Sequence, residues 1–263
     1  MKYIAAYSGG KDSGATVALA HINNEPLDLI IFSEVMFDET TSGELPEHID
    51  FVKNVAFPFF KNWGYECVII HGNYTFMDNF NMQHAGGGSH PERKGMLLGF
   101  PHIQGCPLNT KAKIKPLQKY INGISDKIQY VGIAADEPKR LEKMKSRKGN
   151  EVSLLEKYGY TEAMAFDLCE KYNLLSPVYS FAKRGGCWFC PNCSLNELRH
   201  LRTYHRELWE KLVALEKSVS EINCVAPLYN TLQPLSVVEL EDRFRWEDAQ
   251  MTIFDFIYQT KGG

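Results

Sequence analysis

The sequence predicts an α/β protein whose core is a doubly wound, mostly parallel open sheet, followed by a cysteine cluster and a helical C-terminal extension. Short apolar runs alternate with longer segments of helical periodicity, which is typical of this class. The runs are continuously apolar, as expected for strands covered on both faces. Because ligands of such sheets bind beyond the carboxyl ends of the strands, we expect the loops after the strands to carry the chemistry.

The elements follow from apolar spacing and breaker residues. Pro58 and Pro116 are expected to interrupt two of the helices. Ser194 and Glu197 form a capping-box pattern at the start of a long amphipathic helix. The predicted strands are 2–7, 27–34, 66–70 and 127–134, with a short extended run at 174–178, and the predicted helices are 14–21, 45–63, 110–124, 138–145, 161–172 and 194–218. The segment 71–105 has few helix signals and is predicted to be a long loop that acts as a lid.

Composition narrows the functional classes. The chain has 263 residues, 44% of them hydrophobic, and a formal net charge of −3, which gives no general signal for nucleic acid or membrane binding but allows a local basic patch. No apolar stretch approaches the length of a membrane span, and no leader peptide is evident. Seven cysteines then predict a reducing, cytoplasmic location. We expect two domains, 1–183 and 184–263, and the second offers a surface for a homodimer.

The strongest local signal is the stretch Ser8-Gly9-Gly10-Lys11-Asp12-Ser13. It follows a strand and opens a helix, whose N-terminal N–H groups and dipole favour an anion. Adjacent glycines let the backbone approach that anion, while Lys11 adds a positive charge and the two serines add hydroxyl donors. The sequence therefore predicts a phosphate-binding loop, distinct from the Walker loop and from the dinucleotide fingerprint.

This stretch resembles the Ser-Gly-Gly-x-Asp-Ser signature of the PP-loop ATP pyrophosphatases, the adenine nucleotide alpha-hydrolase superfamily. The resemblance implies the HUP-type fold of that superfamily. It also implies ATP as cofactor, with its pyrophosphate end held by the loop. Enzymes of this superfamily adenylate a substrate oxygen, release pyrophosphate and let a nucleophile displace AMP.

The loops after the later strands resemble the phosphoadenylylsulfate reductase branch of the superfamily. Asp38 and Glu44 lie in an acidic loop that suits Mg²⁺. Cys106 and Lys113 fall in a stretch similar to the branch's cysteine and Leu-Lys-x-x-Pro pattern. Arg140 follows the fourth strand, where a guanidinium grips an anion. The resemblance and placement together assign catalytic roles to Lys11, Asp12, Asp38, Lys113 and Arg140, and cofactor contacts to Ser8, Gly9, Gly10, Lys11, Asp12, Ser13, Ser33 and Glu137.

The second strong signal is Cys187-x-x-Cys190-x-x-Cys193, which follows a Gly-Gly turn. Three thiolates at this spacing can face one metal centre, and Cys106 is the candidate fourth ligand. A 4Fe–4S cluster is the first interpretation, because the spacing is that of ferredoxin-type ligation. A structural Cys₄ zinc site is the close alternative, and thiols that carry sulfur are the third.

Taken together, the motifs favour an ATP-dependent adenylating enzyme that activates an oxygen for sulfur transfer. The acceptor is a tRNA base, a nucleobase or a small metabolite, and a sulfur donor is required. One alternative is a sulfonucleotide (adenylylsulfate or phosphoadenylylsulfate) reductase. Against it stand the intact loop and the absence of the reductases' Glu-Cys-Gly-Leu-His motif. The other alternative is a nucleotide- or metal-binding module without turnover. No membrane partner is expected.

Overall fold

The structure is a computed structural model that describes residues 1–101, 106–147, 149–229 and 236–260, with side chains described up to residue 250. The chain divides into two compact units. The first unit comprises Met1–Phe76 and Leu108–Cys187, and the second comprises Met77–Pro107 and Trp188–Gly263. The predicted division of the chain into domains at residue 184 stays a prediction, since it concerns independent folding.

The chain alternates strands and helices through the first unit and is mainly helical in the second. The strands are β1 (Lys2–Tyr7), β2 (Leu29–Glu34), β3 (Glu66–His71), β4 (Leu97–Gly99), β5 (Lys127–Tyr130), β6 (Glu151–Val152) and β7 (Cys224–Ala226). The helices are α1 (Lys11–Ile22), α2 (Pro46–Phe51), α3 (Phe57–Asn62), α4 (Phe76–Phe80), α5 (Lys115–Asn122), α6 (Pro138–Ser146), α7 (Leu154–Lys157), α8 (Glu162–Lys171), α9 (Leu195–Tyr204), α10 (Arg206–Ser218) and α11 (Val237–Thr260). Two π-helical turns, Val52–Ala56 and Asn109–Ile114, and two 3₁₀ turns, Pro91–Arg93 and Pro177–Ser180, complete the described elements.

The first unit is built on a five-stranded sheet in the order β3-β2-β1-β5-β6, and every neighbouring pair is parallel. Ile4 of β1 lies opposite Leu29 on one side and Gln129 on the other. The chain moves outwards from β1 in one direction to β2 and β3, then returns to the other side of β1 with β5. The strand order therefore reverses between β1 and β5, which is where ligands of such sheets bind.

Both faces of this sheet are buried, as the continuous apolar runs predict. Ile4, Leu29 and Ile31 pack in one apolar cluster with Ile121 of α5. The alternate strand residues, including Ile30 and Phe32, belong to a larger cluster with α1, α3 and α8. Since successive side chains of a strand point to opposite faces, each face carries its own helical layer. The predicted α/β class with a mostly parallel sheet is confirmed.

The two prolines expected to interrupt helices do not do so. Pro58 and Pro116 each lie in the first turn of an α-helix that continues directly from a π-helical turn. A π turn bonds i to i+5, so the return to α geometry leaves one N–H without a helical partner. Proline has no N–H to satisfy, and it is therefore accommodated at this transition.

Other boundaries differ from the prediction. The predicted strand 127–134 ends at Tyr130, and the extended run at 174–178 leads into a 3₁₀ turn. The predicted helix 194–218 is divided at His205, which has φ −132° and ψ 58°. The carbonyl of His205 accepts hydrogen bonds from Leu208 and Trp209, so this residue ends α9 and begins α10. The segment predicted as a long loop contains α4 and β4, and β4 pairs with the distant β7.

The second unit is organised around the buried carboxylates Glu241 and Glu216. Glu241 accepts hydrogen bonds from the guanidinium groups of Arg202, Arg206 and Arg245 and, at 2.6 Å, from the indole Nε1 of Trp209. Glu216 of α10 accepts the backbone N–H groups of Tyr229, Val237 and Val238, which satisfies the start of α11. Together they join α9, α10 and α11.

Among the described residues, no helix combines the length and the apolar character that crossing a membrane requires.

We expect Glu241→Gln to lower the free energy of unfolding of the second unit by about 2 kcal/mol at pH 7, because the buried carboxylate that Arg202, Arg206 and Arg245 share loses its charge. Burial alone would raise the pKa of Glu241, but the hydrogen bonds from Arg202, Trp209, Arg245 and Arg206 lower it from 4.5 to about 2. Because the pKa of Glu241 is lower in the folded state than in the unfolded state, its ionised carboxylate stabilises the protein at pH values above the unfolded-state pKa. This stabilisation is lost as the pH falls towards 2. Chemical denaturation between pH 7 and pH 2 measures both effects.

The matched control is Glu210→Gln, because Glu210 pairs with Arg206 on the exposed surface of α10. That change is expected to cost less than about 0.5 kcal/mol. An equal loss for the two variants, or a Glu241→Gln deficit that persists at pH 2, would contradict the assigned role of Glu241.

Candidate functional site

Hydrogen bonds of its own serine side chains fix the conformation of the loop between β1 and α1. Gly10 caps α1 and has no side chain to occupy the first-turn N–H groups. The Ser13 hydroxyl donates to the carbonyl oxygen of Gly10 at 2.9 Å and accepts from the backbone N–H of Ser8 at 3.1 Å. The turn at Gly9 has φ +74°, a conformation that favours glycine. The loop thus presents a helix N-terminus whose N-cap residue has no side chain, which is an arrangement that suits an anion.

A buried histidine that the sequence analysis missed supports this loop. His48 of α2 is 1% exposed, and its Nε2 lies 2.9 Å from the carbonyl oxygen of Ser8. Because a carbonyl only accepts, Nε2 carries the hydrogen and Nδ1 accepts from the Ser176 hydroxyl at 2.9 Å. Burial lowers the pKa of His48, although Glu44 opposes the shift, and this favours the neutral ring. The sequence feature that could have identified His48 is its spacing of four residues from Val52, which places a histidine on the apolar face of the predicted helix.

The imidazole of His48 occupies the space beside two glycines. A Cβ on Gly9 would lie 2.5 Å from Cε1 of His48, and a Cβ on Gly185 would lie 2.9 Å from the same atom. Real Cβ atoms do not approach so closely, so both positions require glycine while the ring is in place. His48 therefore fixes the loop backbone through one hydrogen bond and one steric contact.

Tyr179 is a second residue that the sequence analysis missed. Its hydroxyl oxygen accepts the backbone N–H of Lys11, the first residue of α1, at 2.9 Å. Burial raises the pKa of this hydroxyl, which stays protonated. Tyr179 lies in the 3₁₀ turn that replaces the end of the predicted extended run, so its approach to the loop depended on the tertiary structure.

The predicted residues Lys11 and Asp12 form an ion pair at the start of α1, with 2.9 Å between Nζ and Oδ1. Glu162 of α8 lies 3.5 Å from the same Nζ. Burial raises the pKa of Asp12, and the charges of Glu162 and Glu137 raise it further against the effect of Lys11. Burial alone would lower the pKa of Lys11, yet its bond to Asp12 raises it. The loop is therefore flanked by carboxylates whose mutual repulsion a cation would relieve.

The segment after β5 passes directly over the start of α1. A Cβ on Gly132 would lie 2.8 Å from the backbone nitrogen of Ser13, so only glycine fits. Beyond it, Glu137 accepts from the backbone N–H of Ala134 at 3.1 Å and pairs with Arg140 at 2.6 Å. The structure thus brings the predicted residues Glu137 and Arg140 to the strand end next to the loop.

A cavity of about 540 Å³ adjoins the loop. Its walls combine apolar side chains with four cationic groups, a composition that suits an anion attached to a flat apolar group. Ser8 and Gly132 contribute at the loop end. The apolar lining includes Ile114, Leu117, Val131, Ile133 and Met144, and the charged lining comprises Lys113, Arg140, Lys143 and Arg147 together with Glu151, which lies 3.8 Å from Arg147.

Ser33 and Glu44, which lie in and after β2, contact the cavity lysine, whereas Asp38 does not. The hydroxyl of Ser33 donates to the carbonyl oxygen of Lys113 at 3.0 Å, and the buried carboxylate of Glu44 lies 3.9 Å from Nζ of Lys113. Both contacts tie the cavity lysine to the end of β2. Asp38 instead accepts hydrogen bonds from Thr40 and Thr41, which lower its pKa although burial would raise it. In this arrangement Asp38 shapes its own turn.

The predicted metal ligands are distributed over both units. Cys187 is the last residue of the first unit, while Cys106, Cys190 and Cys193 belong to the second. Within the second unit, Cys193 donates its N–H to the carbonyl oxygen of Cys190 at 3.0 Å, which closes a tight turn. Burial raises the pKa of Tyr229, and the charges of Cys193 and Cys190 add to the shift. The set of four ligands stays a prediction.

We expect Gly9→Ala to abolish binding of inorganic pyrophosphate, because its Cβ would displace the His48 ring and the loop backbone. The free energy of unfolding should fall by about 2 kcal/mol or more, from the left-handed backbone and the steric contact together. Isothermal titration calorimetry measures binding, and chemical denaturation measures stability.

Gly159→Ala is the matched control for backbone strain, since Gly159 has φ +69° and open space where a Cβ would lie. It should cost about 1 kcal/mol and leave pyrophosphate binding unchanged. Full pyrophosphate binding by Gly9→Ala would show that the loop is not the anion site.

No known family model and no curated protein matches this sequence.

Proposed function

We propose that this chain binds ATP as PP-loop pyrophosphatases do, on a fold of the HUP type, and transfers AMP to an oxygen of an acceptor with release of pyrophosphate. The observation that supports this most directly is the glycine loop at the point where the strand order reverses, with a cationic cavity beside it. A phosphate loop alone suits any anion, but the apolar walls next to it suit a nucleoside.

In this proposal the loop holds the pyrophosphate end of ATP. The first-turn N–H groups of Asp12 and Ser13 donate to the phosphate oxygens, and the helix dipole adds to the attraction. Ser8 supplies a hydroxyl, while Ser13, His48 and Tyr179 keep the backbone in position. Since these donors are fixed before ligand binds, little reorganisation is needed as negative charge develops on the leaving pyrophosphate.

The cavity holds the adenosine and the α-phosphate. Ile133 and Leu117 offer apolar surface to the base, and Lys113 and Arg140 place positive charge at the loop end. Arg140 is exposed and paired with Glu137, so it can exchange that partner for a phosphate oxygen at little cost. Lys113 is less exposed and is steadied by Glu44.

The donor set at the loop suits Mg²⁺. Asp12 and Glu137 provide carboxylate oxygens where like charges already raise the pKa of Asp12. Magnesium prefers one or two carboxylates together with phosphate oxygens, so these two residues would hold it. When bound, Mg²⁺ neutralises charge on the phosphates.

The reaction begins with attack of the acceptor oxygen on the α-phosphorus. The bond from that phosphorus to the oxygen bridging to the β-phosphorus breaks, and its electrons leave with pyrophosphate. Lys113 and Arg140 stabilise the additional negative charge around the α-phosphorus, and the loop stabilises the leaving group. A sulfur nucleophile then attacks the activated carbon of the acceptor and displaces AMP, which carries away the acceptor oxygen.

The thiols of the Cys187-to-Cys193 stretch would supply the sulfur chemistry. Thiolate donors at this spacing suit a 4Fe–4S cluster, with Cys106 as fourth ligand, and they also suit zinc. A bound cluster would supply a site for handling sulfide, whereas bound zinc would be structural. In either case Tyr229, which donates to the carbonyl oxygen of Cys190 at 2.7 Å, positions the turn between two of the ligands.

Acceptor-dependent formation of AMP and pyrophosphate in equal amounts is the expected outcome with α-labelled ATP, Mg²⁺ and a panel of tRNA, nucleobases and small amides. Lys113→Gln should lower kcat/KM for ATP at least tenfold, or about 1.4 kcal/mol of transition-state stabilisation. Lys2→Gln, which removes an exposed lysine at the start of β1, is the matched control and should leave kcat/KM unchanged.

Formation of ADP and phosphate, or no pyrophosphate with any acceptor, would overturn the proposal. Thiol-dependent release of sulfite from adenylylsulfate without consumption of ATP would indicate the reductase instead.

For the metal, we expect anaerobically purified protein to contain about four irons and four acid-labile sulfides per chain and to absorb in the visible range. Cys190→Ala should remove them, while Cys67→Ala, a free thiol of β3, should not. One zinc per chain without sulfide would make the cysteines structural and would leave the adenylation proposal standing.

A further inference from the structure

A second concave surface of the first unit lies at the carboxyl end of β3, on the other side of the helical segment that lines the nucleotide cavity. This groove, which we call the lysine groove, has a volume of about 740 Å³. It is lined by Lys111, Lys115 and Lys119, by Tyr74 and Tyr120, and by His71. Ile70, Gly72, Asn73 and Pro116 complete this lining, which contains no aspartate or glutamate.

The positive charge of the groove is not neutralised by the protein. Among the residues that the structure describes, no carboxylate forms an ion pair with Lys111, Lys115 or Lys119. Lys115 and Lys119 are exposed and lie one turn apart on α5, about 6 Å along its axis. In a chain with a formal net charge of −3, three uncompensated lysines in one groove mark it as an anion-binding surface.

The aromatic side chains give the groove a second kind of recognition. Nζ of Lys111 lies 4.7 Å from the centre of the Tyr74 ring and 3.3 Å from its hydroxyl, so both groups are held in place. Tyr120, next to Lys119 on α5, is 39% exposed. An exposed aromatic ring beside a row of cations is the combination that binds single-stranded nucleic acid, with phosphates on the cations and a base stacked on the ring.

The groove lies over a closely packed contact between the chain after β3 and α5. A Cβ on Gly72 would lie 2.6 Å from Cγ of Pro116, so the chain after β3 packs directly against the start of α5. The same segment presents Lys113 and Leu117 to the nucleotide cavity and Lys111 and Lys115 to the groove. The two binding surfaces therefore lie on opposite sides of one helical segment.

We propose that the lysine groove binds a single-stranded polynucleotide, with its phosphates on Lys111, Lys115 and Lys119 and a base stacked on Tyr120. This site is distinct from the nucleotide cavity and does not depend on the adenylation proposal.

The test is fluorescence anisotropy with a labelled twelve-nucleotide single-stranded RNA of mixed sequence (a length of about one site), titrated with the full chain at several salt concentrations. The groove variant K111Q/K115Q/K119Q should weaken binding at least thirtyfold at low salt. The slope of log affinity against log salt should fall by about two, as expected for three lost phosphate contacts on a single strand.

The matched control is K2Q/K61Q/K171Q, which removes the same charge from exposed lysines outside the groove. It should change affinity less than threefold. Tyr120→Ala should weaken RNA binding about tenfold and leave binding of inorganic polyphosphate unchanged, because only the RNA has bases to stack. The far-UV circular dichroism spectrum and the denaturation midpoint of the groove variant should match those of the native chain, which shows that it folds whether or not the chain binds ATP.

An equal loss of RNA affinity in the two triple variants would show that binding depends only on the overall charge of the protein, and it would overturn the proposal. Tyr120→Ala binding RNA as the native chain does, a preference for duplex RNA, or tighter binding of polyglutamate than of RNA would overturn it as well.

Discussion

The first unit depends on one steric constraint, the close approach of two chain segments to the loop at the start of α1. The His48 ring occupies the space where a side chain on Gly9 would lie, and the backbone after β5 passes where a side chain on Gly132 would lie. Protein interiors are close-packed, so a single added methyl group at either position would displace the loop. The direction of the α1 N–H groups, on which the proposed anion site depends, follows from this packing.

Charge is arranged around that packing in a consistent way. Burial lowers the pKa of His48, which contacts the loop, and so favours its neutral form, while Lys113 and Arg140 line the cavity. A neutral ring supports the loop without competing for the anion or repelling a cation. On the other side of the segment that carries Lys113, the lysine groove concentrates charge that the protein leaves uncompensated. The helical segment from Asn109 to Asn122 therefore lines the nucleotide cavity on one side and the lysine groove on the other.

The sequence predicted the sheet better than the ends of its helices. Continuous apolar runs identified the central strands β1 and β2 because burial on both faces leaves little alternative to such a strand. The same pattern identified β3, which is an edge strand and only partly buried. Pro58, Pro116 and the long helix after Ser194 misled the prediction because local rules do not anticipate π turns or the break at His205. The pairing of β4 with β7 joins residues more than a hundred positions apart, and no local pattern encodes it.

Local sequence was enough to specify the loop from Ser8 to Ser13 and its position between a strand and a helix, because both depend on local backbone requirements. It also placed Glu137 and Arg140 at a strand end. The contacts of His48 and Tyr179 with this loop, the use of Asp38 in its own turn, and the division of one segment's lysines between two surfaces came from tertiary packing. These outcomes depend on which distant segments meet in space, and the free energy of that packing is shared among residues that are far apart in the chain.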